Sequence, residues 1–256
     1  MDNFEFEDFI IIKKCLGTLA KNVRIVGGHD GNIQTHPFMV SFKYVGDYKI
    51  ICGGSIISNK HILTSAQCVR TIYGDVRYVR VYSGIAPLEG IAGNENEIEN
   101  AYIHPGFTAK HNGDEMFLHD IAVVKLKHFI VFNEIQNAID LLDRDVTDND
   151  SGFIFGWGSM SHPTPSYPIQ MQKARMHVVS QTFCASLVGF HLFHCQFCTY
   201  NQLGIGPCLG DSGGPLVIDG KIAGIISVSV PCAQGAPDIY VRVYNYIGFI
   251  RDMMNI

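Results

Sequence analysis

A serine stands between glycines in the stretch CLGDSGGP, residues 208–215, a pattern suited to a nucleophile. A nucleophilic hydroxyl needs a turn that exposes it and nearby backbone N–H groups that stabilise a developing oxyanion. Ser212 has the hydroxyl, and the N–H groups of Gly210 and Ser212 are predicted to form the oxyanion hole. The stretch therefore predicts acyl transfer at Ser212, provided that a base accepts its proton.

Short strands separated by turns must position this serine. Strand-like segments rich in β-branched and aromatic residues occupy 38–45, 78–84, 121–126, 152–158, 215–230 and 238–244. Asp219-Gly220 predicts a two-residue hairpin turn. Helical spacing of apolar residues is found mainly at 244–256. The pattern predicts an all-β fold with one C-terminal helix.

Composition excludes some partners. The chain has 256 residues and is 47% hydrophobic, which is enough for one large domain or two small barrels. Its net charge is −5, and no Lys/Arg cluster offers a surface for phosphates, so we expect no nucleic acid partner. No apolar run reaches the roughly 18 residues that a membrane span requires, so we expect no membrane partner. Nothing in the composition calls for a cofactor.

The first 24 residues differ from the rest. They begin with acidic residues and hold only a short apolar run at 9–12, unlike a secretory signal, so we interpret 1–24 as a pro-segment. An acidic tail without a defined fold is the alternative. The chain has eight Cys, an even number that predicts disulfides and an oxidising, extracellular location.

Seven motifs occur in a familiar order: RIVGG (24–28), CGGSII (52–57), TSAQC (64–68), AYIHPGF (101–107), DIAVVKL (120–126), GWG (156–158) and CLGDSGGP. Together they closely resemble the trypsin-like serine proteases of the chymotrypsin fold over residues 25–256. The resemblance implies two packed antiparallel six-stranded β-barrels with the active site in the cleft between them. It places barrel 1 at about 25–138, barrel 2 at about 139–243 and the C-terminal helix at 244–256.

The resemblance also implies disulfides and an activation switch. It pairs Cys52 with Cys68, Cys184 with Cys198, and Cys208 with Cys232. Cys15 and Cys195 are left over, and whether they pair or remain free stays open. Cleavage between Arg24 and Ile25 would free an amine that, in this family, pairs with the carboxylate matching Asp211.

The catalytic triad departs from the family pattern. Asp120 and Ser212 match the family's Asp and Ser, but Gln67 stands where the family has its His. An amide accepts a hydrogen bond but does not take a proton near neutral pH. In a related triad, loss of the base costs about 10⁶ in turnover, or about 8 kcal/mol of barrier.

Two histidines near these motifs are candidates for a replacement base. His61 lies six residues before Gln67, and its loop would have to be rebuilt to reach the serine. His119 precedes Asp120, and neighbours along a strand point to opposite faces. We therefore expect neither to substitute for the missing base.

The predicted substrate pocket has changed as well. Gly206 stands where the trypsin branch has an Asp that binds Lys or Arg. Ser227-Val228-Ser229 replaces the usual Ser-Trp-Gly of the pocket wall, and Asp238 replaces a pocket Gly. Asp238 either restores a negative charge from the opposite wall or fills the pocket; both interpretations stay open.

Two stretches contain residue types that can bind metal ions, but we predict a metal site at neither. HLFHCQFC, residues 191–198, has His and Cys, but the resemblance assigns Cys198 to a disulfide. NENEIEN, residues 94–100, lacks a clear ligand register and is predicted to be a solvated acidic loop.

These features predict a catalytically inactive, secreted serine protease homologue that acts by binding protein. The chain resembles the serine protease homologues of arthropods and, more narrowly, the inactivated protease paralogues of the scabies mite. That resemblance implies interference with host complement or a protease cascade. An active serine endopeptidase with a displaced base is the alternative hypothesis.

Overall fold

Six strands close into the first barrel of a computed structural model that describes residues 25–47, 49–86, 93–110, 115–229 and 232–256. The N-terminal elements are β1 (His29–Asp30), β2 (Met39–Tyr44), β3 (Ile50–Ile56), β4 (His61–Thr64), α1 (Ala66–Ile72), a 3-10 turn (Val76–Tyr78), β5 (Val79–Ser83), β6 (Asn94–Ile103) and β7 (Ala122–Leu126). The spatial order of the barrel strands is β2-β3-β4-β7-β6-β5, and every neighbouring pair is antiparallel.

Six further strands close into a second antiparallel barrel. The elements are β8 (Ser151–Gly156), β9 (Gln172–Val179), α2 (Gln181–Val188), β10 (Gln196–Tyr200), β11 (Pro215–Ile218), β12 (Lys221–Val228) and β13 (Asp238–Arg242). The barrel closes because β8 pairs with both β9 and β11. The short strand β1 adds to the outside of β9. The start of the range predicted for barrel 1 therefore pairs with the second barrel.

The chain ends in the predicted helix, which is shorter than its sequence pattern. A 3-10 turn, Val243–Tyr246, comes first, and α3 then spans Ile247–Met254. Ile250 is fully buried against a core cluster that includes residues of both barrels, such as Met39 and Ile225. No helix in the described part of the chain is long and apolar enough to cross a bilayer.

The predicted turn at 219–220 is confirmed, and it joins β11 to β12. Asp219 and Gly220 both have positive φ, 52° and 74°, as the tightest hairpin turn requires. Asp and Gly tolerate that backbone region better than other residues, so the sequence determines this corner locally.

The acidic loop predicted at 94–100 is wrong, since these residues begin strand β6. Hydrogen bonding to β5 and β7 on either side holds the strand despite its charges. Glu97 pairs with Lys127 at 3.1 Å, and Glu99 pairs with Lys60 at 3.0 Å. Lysines distant in sequence thus pair with these carboxylates, which in the sequence by themselves indicate a loop.

Candidate active site

Gln67 and Asp120 form a tight hydrogen-bonded pair in the first barrel that contacts Ser227 of β12 in the second. The Gln67 backbone N–H donates to Asp120 Oδ1 at 2.7 Å, and its Nε2 donates to Asp120 Oδ2 at 2.7 Å. Nε2 also donates to the Ser227 carbonyl at 2.6 Å, and Ser227 Oγ donates to Asp120 Oδ2 at 2.6 Å. Both amide protons of Gln67 are therefore used, which leaves Oε1, an acceptor, as its remaining polar atom.

Local sequence explains why Gln67 stands there. Ser65 caps helix α1, with extended backbone angles and a side chain that accepts from the Cys68 N–H. Gln67 is the second residue of the helix, so its N–H has no partner within the helix and is free to bond to Asp120. The helix start thus contributes one donor and the side chain the other.

Asp120 is a fully buried carboxyl whose bound donors carry no full charge. Burial raises its pKa to about 6, although hydrogen bonds from Ser227, Gln67 and Ala66 oppose that shift. An imidazolium in place of the Gln67 amide would favour the ionised carboxylate far more. The site therefore holds the aspartate by hydrogen bonding alone.

Ser212 lies on a tight loop that packs against the first barrel. Its carbonyl accepts from the Gly53 N–H at 2.9 Å, and Gly214 N–H donates back to the Asp211 carbonyl at 3.0 Å. Gly210 has φ of +98°, which allows the turn before the serine. Among the described residues, no hydrogen bond joins Ser212 Oγ to Gln67, so the predicted nucleophile and the Gln67–Asp120 pair are not linked directly.

Asp211, the predicted partner of the activation amine, is buried beside the serine. Its Oδ1 accepts from the Gly158 N–H at 2.8 Å and its Oδ2 from the Cys208 N–H at 3.0 Å. Burial raises its pKa to about 7. Ile25 is wholly buried in the second barrel's core cluster, whereas Arg24 lies outside the described residues.

The predicted pocket brings Gly206 and Asp238 together. A Cβ placed on Gly206 would lie 3.0 Å from Asp238 Oδ2, so an Asp at both positions would bring two carboxylates into contact. Asp238 is only 3% exposed, and among the described residues its carboxyl makes no hydrogen bond. Burial, and secondarily the nearby Asp211, raises its pKa well above the ordinary value.

Known proteins match this architecture closely. The family model described as Trypsin matches residues 25–250. The chain belongs to this family. Trypsin delta of Drosophila melanogaster is 31% identical over 224 residues, covering 86% of this chain and 84% of that protein. Hypodermin-A of Hypoderma lineatum is 31% identical over 235 residues, covering 89% and 87%.

A solved structure supports the same fold. The chain matches mouse neuropsin, a serine protease expressed in the limbic system of the brain, with a TM-score of 0.79 and 24% identity. The match covers 89% of this chain and 99% of neuropsin. Two closed six-stranded antiparallel barrels and a C-terminal helix are thus the trypsin-family fold.

The three disulfides expected from the family resemblance are present. Cys52 bonds to Cys68, Cys184 to Cys198, and Cys208 to Cys232, with Cα–Cα distances of 6.1, 6.3 and 4.3 Å. Cys195 is buried and free, and Cys15 lies outside the described residues. The Cys208–Cys232 bond joins the serine loop to the chain that follows β12.

The sequence predicts Ser227 in the pocket wall but not its hydrogen bond to Asp120. Its carbonyl and hydroxyl both bind the Gln67–Asp120 pair. The neighbouring Val228 and Ser229 are half-buried, as is Ser212. No local motif predicts these hydrogen bonds of Ser227, because Asp120 and Gln67 lie 107 and 160 residues away in sequence.

Proposed function

We propose that this trypsin-family chain is a catalytically inactive, secreted homologue that acts by binding protein. The observation that carries the proposal is the amide of Gln67, which bonds to Asp120 and Ser227 at the position where the family uses a base. An amide does not accept the serine proton and return it to a leaving amine. Ser212 consequently keeps its proton and remains a weak nucleophile.

The two histidines weighed as replacements are engaged elsewhere, which supports the proposal. His61 Nδ1 lies 2.8 Å from Ser58 Oγ. His119 Nδ1 lies 2.7 Å from the Tyr246 hydroxyl, and its ring stacks on His104 with 4.8 Å between centroids. Using either as a base would require breaking these contacts and moving the ring to the serine.

Binding is the function that the rest of the molecule favours. A rigid pair of barrels presents loops around a cleft, an arrangement that suits recognition once chemistry is lost. Three disulfides fit an extracellular protein. We propose that the partner is a component of host complement or of another protease cascade.

Turnover measurements test the proposed inactivity. The chain is cleaved after Arg24, and hydrolysis of Arg, Lys and aromatic esters is followed beside S212A. We expect wild type and S212A to be equally silent. Turnover in wild type that disappears in S212A would establish an active endopeptidase with a displaced base.

A gain-of-function variant locates the defect. Q67H returns an imidazole to the position beside Asp120, so activity in Q67H that is absent from Q67H/S212A would show that only the base is missing. Continued silence of a folded Q67H would implicate the changed pocket as well.

A complement lysis assay tests the proposed binding role. We expect added wild-type chain and S212A to reduce lysis equally, since the serine has no chemical part in binding. The heat-denatured chain is the control. Lysis that the folded chain leaves unchanged would contradict the complement proposal while leaving the inactivity intact.

A further inference from the structure

We propose that a surface on the first barrel binds an acidic, aromatic segment of a partner protein. This cationic surface consists of Lys43, Lys49, Arg70, Arg77 and Arg80 together with Val45, Tyr73 and Tyr78. It extends the proposed binding function by assigning a docking surface and a class of partner. The experiment below nevertheless does not depend on whether the chain is catalytically active.

The surface carries cations without ion pairs. Ion pairs elsewhere in the described chain engage Lys60, Lys110, Lys125, Lys127, Arg144, Lys221 and Arg242. Within the same described ranges, none of the five cations of the surface lies within ion-pair distance of a carboxylate. Of the eight described Lys and Arg residues without an ion pair, five thus belong to this surface, and the others are Lys173, Arg175 and Arg251, although the whole chain has a net charge of −5.

The strand register brings like charges together. Lys43 in β2 lies directly opposite Arg80 in β5, an arrangement that destabilises a sheet. Arg80 also donates to the Arg77 carbonyl at 2.9 Å, which places Arg77 beside it. Lys43 lies 4.7 Å from the Tyr82 ring, and Glu97 stands opposite Arg80, so part of the repulsion is relieved within the fold; a bound anion would offset more of it.

The carboxylates around the surface are already engaged. Asp47 accepts from the Lys49 backbone N–H at 2.9 Å, and Asp75 accepts from the Tyr44 hydroxyl at 3.5 Å. On the neighbouring strand β6, Glu95 accepts from the Tyr82 hydroxyl at 3.0 Å, and Glu97, opposite Arg80, pairs with Lys127. These carboxylates reduce the local positive charge, but none of them forms an ion pair with the exposed Arg70 or Arg77.

Exposed aromatic side chains lie among these cations. Tyr73 is 72% exposed, Tyr78 is 60% exposed and Val45 is 52% exposed. The Val45 N–H donates to the Tyr78 carbonyl at 2.8 Å, and the Arg77 guanidinium lies 6.0 Å from the Tyr78 ring. Apolar surface between cations suits a peptide with both acidic and apolar side chains better than a sulfated polysaccharide, which presents little apolar area.

Helix α1 links the surface to the candidate active site. Gln67 is in the first turn of α1, Arg70 is one turn later, and Tyr73 follows the end of the helix. A partner that reaches Gln67 along this helix would therefore meet Arg70 and Tyr73. The local positive charge would steer an acidic segment toward a protein that is otherwise negative.

Fluorescence anisotropy of a labelled nonapeptide alternating Glu and Phe tests the proposal on the full chain. We expect saturable binding that weakens several-fold between 50 and 300 mM NaCl, because exposed charges are screened. R70E/R77E should bind about tenfold more weakly, and R251E, which reverses an exposed arginine on α3, should bind like wild type. Y73S/Y78S should also weaken binding, and Y244S should not.

Further controls distinguish between the possible ligands of this surface. S212A should bind the peptide normally, so peptide binding and catalytic silence are tested separately. Equal affinity of wild type and a folded R70E/R77E would overturn the proposal. So would tighter binding of a heparin oligosaccharide than of the peptide, or equal binding of peptides that alternate Gln with Phe or Glu with Ser. Peptide binding seen only after cleavage at Arg24 would assign the surface to residues 1–24 instead.

Discussion

Asp120 and Asp238 are both buried carboxyls near the cleft, yet their surroundings are opposite. Asp120 accepts hydrogen bonds from Gln67 and from Ser227. Asp238 accepts none within the described chain; it lies beside Gly206, and the negative charge of the buried Asp211 raises its pKa further. The carboxyl of Asp120 is thus fully hydrogen-bonded within the protein, whereas the carboxyl of Asp238 is available to a cationic ligand or a proton.

The contrast separates two environments for a buried carboxyl. At Asp120, the Gln67 amide donates to the carboxyl but does not titrate near neutral pH. At Asp238, no described residue donates to the carboxyl, so ionising it costs stability. Substitutions that disturb the first environment and relieve the second should therefore change the free energy of unfolding in opposite directions.

Gln67→Glu should have the largest effect, because it breaks the saturated network with an isosteric change. It removes both amide donors and sets a second carboxylate against Asp120. We expect a loss of about 3–5 kcal/mol in the free energy of unfolding at pH 8, shrinking at pH 4 as a proton is shared. Urea denaturation measures it, and Q202E, at an exposed glutamine, should change stability by less than about 0.5 kcal/mol.

Titration of Asp120 tests the same network without mutation. Its carboxyl carbon should titrate by NMR near pH 6, against an ordinary pKa of 3.8. Because the folded pKa is the higher one, the folded state holds the proton between these values, and stability falls as pH rises from about 4 to about 6. This group's contribution to that fall is about 3 kcal/mol. A midpoint near pH 4 would show that the hydrogen bonds outweigh burial.

Sequence patterns predicted the parts of the fold that depend on local chemistry. The hairpin at Asp219-Gly220 and the apolar strands such as β7 follow from residue type and spacing. The polar residues of β6 wrongly predict a loop, because such residues are typical of loops and only pairing with β5 and β7 holds the strand extended. Such strands form because of pairing with segments distant in sequence, so a short stretch of sequence does not predict them.

The candidate site divides in the same way. The Ser212 loop and the residue at position 67 stand in motifs that the sequence displays directly. The bonds of Ser227 to Asp120 and the contact of Gly206 with Asp238 arise only when separate loops meet in the fold. A motif predicts which chemical groups are present. Which of these groups bond to each other is known only from the three-dimensional structure.

Asp238→Asn should sharpen the contrast by removing the unsatisfied charge. Burial raises the pKa of Asp238, so the wild type loses stability as pH rises from about 4 toward that raised pKa, and the variant does not. We expect similar unfolding free energies at pH 4 and an advantage of about 1–3 kcal/mol for D238N at pH 9. D252N, at an exposed position on α3, is the matched control. A D238N variant that is less stable at every pH would mean that the carboxylate has a stabilising partner.

Benzamidine, a flat amidinium ion, probes whether Asp238 binds cations or merely fills the pocket. Binding requires the ionised carboxylate, so below the raised pKa of Asp238 affinity should rise about tenfold for each pH unit, equivalent to about 1.4 kcal/mol. Calorimetry in two buffers of different ionisation enthalpy should detect proton release below that pKa, and D238N should abolish the pH dependence. Affinity that is independent of pH would place the amidinium away from Asp238. Absence of binding at every pH would mean that the side chain occupies the pocket itself, and a partner would then have to engage the cleft without inserting a lysine or arginine.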